Sequence, residues 1–275
     1  MKKWIVGILA FLITIGAAIY QKYTGPTYPK TISFIHQDKA ISYTLPRSHE
    51  TTDDCPVVLD KKFKTENGFL YYKRYPTNDA YTKIPFSQSK DGGRLTAFLP
   101  KQPASGKLIY YIELYDRNKL IFSNADNQNI IRFKGHVPPY ILIPHIIFMF
   151  FAMFFSTYTA LRIVARLSYK RFIWITLALL ILGGLFFGPI VQKYAFGFYW
   201  TGIPFGWDLT DNKTLIAFIF WVYAVIRNMK HENKNSVFVA AIVTLIIFSI
   251  PHSMFGSQLD YSTGKMTQGI IWLFL

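Results

Sequence analysis

The sequence predicts an α-helical membrane bundle joined to an all-β domain. Two patterns carry that expectation. Apolar residues gather in blocks long enough to cross a bilayer, one at the N-terminus and the others after residue 137. Between them, residues 24–136 break into short alternating runs separated by turn residues, the pattern of antiparallel strands. Composition agrees, since 51% of the 275 residues are hydrophobic and 18% aromatic, too apolar for an ordinary soluble domain.

Three regions follow: an anchor over 1–23, a β domain over 24–136, and a four-helix membrane region over 137–275 containing an aromatic loop at 191–213. The first block, Trp4 to Tyr20, follows Lys2 and Lys3. It is long for a signal-peptide core, and Gly16, Ala17 and Ala18 make a poor cleavage site, so it reads as a retained anchor. Further spans are expected at Pro139–Tyr158, Phe172–Ile190, Leu215–Ile226 and Val237–His252, giving about five crossings.

Basic residues orient the scheme. With the N-terminus in the cytoplasm, Lys2, Lys3, Arg162, Arg166, Lys170, Arg171, Arg227, Lys230 and Lys234 fall on the inner side, while the short outer segments hold Lys193, Lys213 and Lys265. That asymmetry is the positive-inside signal. It also accounts for the formal charge of +15 through the lipid bilayer, with no nucleic acid as partner.

Strands are expected at Thr31–Ile35, Ala40–Thr44, Phe69–Tyr75, Ile84–Ser89, Arg94–Leu99, Lys107–Leu114, Lys119–Ser123 and Ile130–Phe133. About eight antiparallel strands of this spacing suit a β-sandwich, inserted on the extracytoplasmic side between the first and second spans. The short link from Ile131 to Pro138 suggests a tightly held lid or platform. The single cysteine, Cys55, excludes an internal disulfide.

The runs Leu70–Tyr75, Arg94–Pro100 and Gly106–Ile112 resemble the fibronectin type III and immunoglobulin-like pattern, without the cysteine pair of antibody domains. That resemblance implies a sandwich used for binding or spacing. Residues Gly188–Gly197 and Trp200–Lys213 resemble a segment of uncharacterised bacterial inner-membrane proteins. It implies a bacterial plasma-membrane location and transfers no activity.

Chemistry rests on few residues. His145 and His252 fall inside apolar blocks, each after a proline, and an intramembrane imidazole raises a functional-site hypothesis. Counting at 1.5 Å per residue puts both at a similar depth, about 9 Å below the outer boundary for His145. A haem or a divalent metal is one reading, with Asp208, Asp211 or Asp260 as further ligands. Local hydrogen bonding at kinked helix positions is the other.

Asp208 and Asp211 also suit capping of the following helix, with Lys213 as their counter-charge. Trp200 and Trp207 suit a membrane interface. No Walker loop, dinucleotide fingerprint, nucleophile elbow or zinc-protease helix is present. The expected role is therefore binding or assembly with a periplasmic or membrane protein, with Tyr71, Tyr75 and Tyr81 as contact residues. Redox or metal chemistry and small-solute or proton transport are the alternatives.

Overall fold

The computed structural model describes residues 2–62, 66–90, 92–251, 254 and 256–267. The chain divides into two units. One holds residues 1–26, 137–257 and 268–275, the other residues 27–136 and 258–267.

The first unit is helical: α1 Lys2–Thr24, α2 Pro139–Val164, α3 Lys170–Leu180, α4 Gly188–Phe196, α5 Leu209–Lys230 and α6 Lys234–Ser249. A π-helical turn, Ile181–Phe187, joins α3 to α4, so that Lys170–Phe196 forms one continuous rod. Among the described residues, four helices are long and apolar enough to cross a membrane: α1, α2, the α3–α4 rod and α5. Helix α6 has 16 residues, the length expected, but begins and ends three residues earlier than Val237–His252. It stops at Ser249 because Ile250 turns extended (φ −68°, ψ 127°), the conformation forced on a residue that precedes proline.

The buried core of this unit runs through Ala152, Ile173, Leu177, Leu180, Ala217, Trp221, Val237, Ala240 and Ala241. Several polar groups inside it are matched, while the buried hydroxyls of Thr14, Ser156 and Thr157 have no hydrogen-bond partner among the described residues. The Trp221 Nε1–H donates to Thr244 Oγ1 at 2.9 Å, joining α5 to α6. At the α5–α6 turn Asn228 binds on both sides. Its Nδ2 donates to the Ala224 and Asn233 carbonyls and to Ser236 Oγ, while its Oδ1 accepts from Tyr169 and from the Asn233 N–H. Arg162, counted above among the inner-side basic residues, is 4% exposed. Its guanidinium donates to the Ser168 carbonyl and Tyr158 and packs against the Tyr158 and Phe172 rings.

The second unit contains β1 Lys30–His36, β2 Lys39–Leu45, β3 Ser48–Glu50, β4 Cys55–Asp60, β5 Glu66–Arg74, β6 Thr82–Pro85, β7 Ser87–Gln88, β8 Arg94–Leu99, β9 Lys107–Asp116, β10 Lys119–Ser123 and β11 Asn129–Lys134, with a late pair β12 Gln258–Leu259 and β13 Met266–Thr267. One sheet runs β3-β11-β9-β5-β6 with β10 also on β9. A second is β4-β8-β7, and β1-β2 and β12-β13 are separate hairpins. Alternation places Leu70, Leu108, Tyr110, Ile112, Leu114, Ile131 and Phe133 from the large sheet with Val57, Leu59, Leu95 and Leu99 from the second in one buried core.

Three expectations change. Pairing is not wholly antiparallel, because β3 joins β11 in parallel, Arg132 opposite Ser48. This three-residue strand comes from a distant part of the chain and needs no tight turn. Second, β4 was missed because Pro56 interrupts its alternation. Among the described residues the strand pairs with β8 alone, so a residue without an N–H is tolerated. Third, residues 258–267 were assigned to the helical region but belong to the β unit. Tyr261 accounts for it: its hydroxyl accepts from the Lys107 N–H at 2.9 Å and donates to the Lys107 carbonyl at 2.8 Å.

Candidate functional site: a tyrosine face and a braced aromatic loop

On the face of the large sheet turned from the core, β5 and β9 run in register with Tyr71 opposite Tyr111. Side chains that alternate with the buried leucines must emerge there together. The Tyr71 and Tyr111 rings stack at 4.6 Å with planes 5° apart, and Tyr81 meets Tyr111 edge-on at 5.3 Å. Phe69 and Tyr115 form a further edge contact.

Charge is woven through these rings. The Glu113 carboxylate accepts from both Tyr71 and Tyr115 at 2.9 Å. Burial and then this carboxylate push the Tyr71 hydroxyl up in pKa, while for Tyr115 the hydrogen bond to Glu113 comes first. Lys83 Nζ stands 3.8 Å from the Phe69 ring centre and Lys73 Nζ 5.1 Å from that of Tyr81. An open groove beside them is lined by Lys73, Tyr75, Thr77, Tyr81, Ile109 and Gln128, with Tyr81 donating to Gln128 Oε1 at 2.6 Å. The three tyrosines named from the sequence therefore meet on one surface. Tyr111, Tyr115, Phe69 and Glu113 were not singled out, although the period-2 alternation of Lys107–Asp116 held the signal.

Chemistry at the carboxylates is local. Asp208 caps α5, accepting from the Thr210 N–H at 2.8 Å and from the N–H and hydroxyl of Ser257. Asp211 accepts from the N–H and hydroxyl of Thr201 at 2.6 and 3.1 Å. Lys213, 2% exposed, does not serve chiefly as their counter-charge. Its Nζ donates to the Ile250 and Pro251 carbonyls beyond the end of α6, where a cation satisfies carbonyls that helix geometry leaves open. Asp260 sits in the other unit and accepts from Ser262 and Thr263 within its own turn. Those donors, Ser262 first, hold its carboxyl down at about 2.

His145 lies against the π-turn, its Nδ1 donating to the Gly183 carbonyl at 2.9 Å. That bond leaves Nε2 as the nitrogen with a lone pair, the form in which imidazole binds metals. His252 lies outside the described residues. The expected match in depth assumed a helix running through residue 252, and α6 ends at Ser249. Among the described residues no group of three or more His, Cys, Asp or Glu is placed to hold a metal ion.

The two tryptophans separate. Trp207 is exposed, whereas Trp200 turns back and donates its Nε1–H to the Ile203 carbonyl. No family model, curated protein or solved structure matches this chain. The sites above therefore stand on their own geometry.

Proposed function

We propose that the chain is an integral membrane protein of binding or assembly type. In this reading the apolar helices cross the plasma membrane with the N-terminus cytoplasmic. The β unit is a two-layer sandwich on the extracytoplasmic side, and its tyrosine face takes a protein partner. The observation that carries the reading is the gathering of Phe69, Tyr71, Tyr81, Tyr111 and Tyr115 on one surface with Lys73 and Lys83 among them. Tyrosine supplies large contact area at small entropic cost, and interfaces are enriched in it.

Affinity capture from solubilised membranes tests it. The full chain, a Tyr71→Ser/Tyr81→Ser variant and a control with Val58→Ser/Phe98→Ser on the second sheet are compared. The reading predicts a partner retained by the wild type and the control and lost by the tyrosine variant. An identical set of captured proteins from all three counts against it.

A second reading has one specific support, the orientation of His145 by the Gly183 carbonyl. Imidazoles fixed in this way commonly ligate a metal or haem through the other nitrogen. A Soret band or stoichiometric metal in the purified protein, lost in His145→Ala, would favour it.

A further inference from the structure

The loop between α4 and α5 is built to hold apolar side chains outward. Phe198, Tyr199, Ile203, Phe205 and Trp207 are 45–76% exposed, a concentration that water disfavours. Beneath them the backbone is pinned. Besides the two bonds from Thr201 to Asp211, the Ile203 N–H donates to Asn212 Oδ1 at 2.8 Å. The Asp208 N–H reaches the Thr201 carbonyl, and Phe205 and Gly206 both close onto the Gly202 carbonyl. Gly202 allows this close packing, since a Cβ there would lie 2.7 Å from that of Asp211. A loose loop would fold its rings inward, and these bonds prevent it.

Two further features say what covers the rings. The loop joins two rods, Lys170–Phe196 and Leu209–Lys230, each of bilayer-crossing length and composition, so its apolar surface continues theirs. No acidic residue occurs from 197 to 207, and Asp208 and Asp211 are buried. Lys193 at the end of α4 lies 5.3 Å from the Tyr199 ring and donates to the Gly197 carbonyl, while Lys213 beyond the loop is buried. A surface of aromatic and aliphatic groups with a lysine at its margin and no exposed carboxylate fits the headgroup–acyl boundary.

We propose that residues 198–207 form a rigid wedge seated in the lipid interface, its depth fixed by the Asp211 and Asn212 brace. The proposal rests on the membrane reading given above. It assigns Phe205 and Trp207 to lipid and Trp200 to holding the loop's shape.

Nitroxide labels placed by Phe205→Cys, Ile219→Cys and Lys119→Cys, in separate full-length proteins reconstituted in phosphatidylcholine–phosphatidylglycerol vesicles, test both layers. Cys55 is 2% exposed and takes no label. The expected result is an oxygen-to-nickel-chelate accessibility ratio highest at 219, on the exposed side of α5, and several-fold higher at 205 than at 119. Adding Asp211→Ala should lower the ratio at 205 while leaving 219 unchanged. A label at 205 as open to nickel chelate as that at 119, with 219 still in lipid, overturns the wedge alone. Shielding of 205 from both reagents means a protein cover and also overturns it. A nickel-accessible 219 removes the membrane reading and the wedge with it.

Discussion

Tyr71 and Tyr111 face each other across neighbouring strands with ring centres 4.6 Å apart and planes 5° from parallel. The pair sits on the side of the sheet that the core does not use, and both hydroxyls stand near Glu113. Cross-strand aromatic pairs contribute about 0.2–1 kcal/mol, a small part of a domain's stability. Tyr111→Ala should therefore shift the denaturation midpoint of the β unit little while removing partner capture. A loss of both together would mean that the pair serves folding.

The core beneath behaves oppositely. Leu70 is fully buried, directly beside Tyr71 in β5, and Leu70→Ala should cost about 2–5 kcal/mol through lost transfer energy and a residual cavity. Urea titration followed by pulse labelling of Cys55 reads this. A midpoint unchanged from wild type would contradict the assignment of the core.

In the helical unit, Gly184 lets α5 approach the π-turn, for a Cβ there would stand 2.5 Å from Thr214 Cγ2. Gly184→Ala is expected to destabilise by about 1–3 kcal/mol through overpacking. Thr214→Ser removes the obstructing methyl, so the double variant should regain most of the loss in thermal aggregation assays. No recovery would place the strain elsewhere.

Lys107 gives a pH signature. Burial, and then Arg132 nearby, lower its pKa from the usual lysine value to about 8. The unfolded chain then binds more protons than the folded one between about pH 8 and 10, so this group makes stability rise with pH across that window. Tyr261, pushed up to about 12 mainly by burial, acts in the opposite sense only above the ordinary tyrosine value. Lys107→Met should therefore flatten the rise between pH 8 and 9.5, seen as the difference between variant and wild-type unfolding midpoints. A slope equal to that of the wild type would contradict the burial of this ammonium.

Asn228 offers a test of the α5–α6 turn. Removing its amide strands the Tyr169 hydroxyl and the Asn233 N–H, and leaving buried polar groups unmatched costs about 1–3 kcal/mol. Asn228→Ala should lower the melting temperature in detergent more than a substitution at exposed Met229. Equal effects would contradict a specific role.

Most strands and long helices were legible because alternation and apolar length report directly on burial. Misses have physical causes. Pro56 hid β4, since proline disrupts a strand pattern except where its missing N–H faces no partner. Pro251 was read as a kink, although the restriction it places on Ile250 ends α6. Charge asymmetry places Arg162 among the inner-side basic residues, and nothing local reveals that its guanidinium closes the turn to Ser168. For the candidate sites, Tyr71, Tyr75 and Tyr81 were visible as aromatic residues of strands and turns. The partners that make them a surface, Tyr111 and Glu113, depend on strand register. Asp211 was read as a cap or ligand, while its bond to Thr201 depends on a loop geometry that periodicity does not encode.

The central claim is that the helices cross a membrane and leave the β unit on the extracytoplasmic side. Cys55 cannot report on it, being buried with its thiol pushed up to about 12 by desolvation. The exposed Lys119, at the β9–β10 turn, can. Lys119→Cys should react with a membrane-impermeant maleimide on intact cells, at the same level before and after permeabilisation. Labelling only after permeabilisation would put the β unit in the cytoplasm and overturn the account.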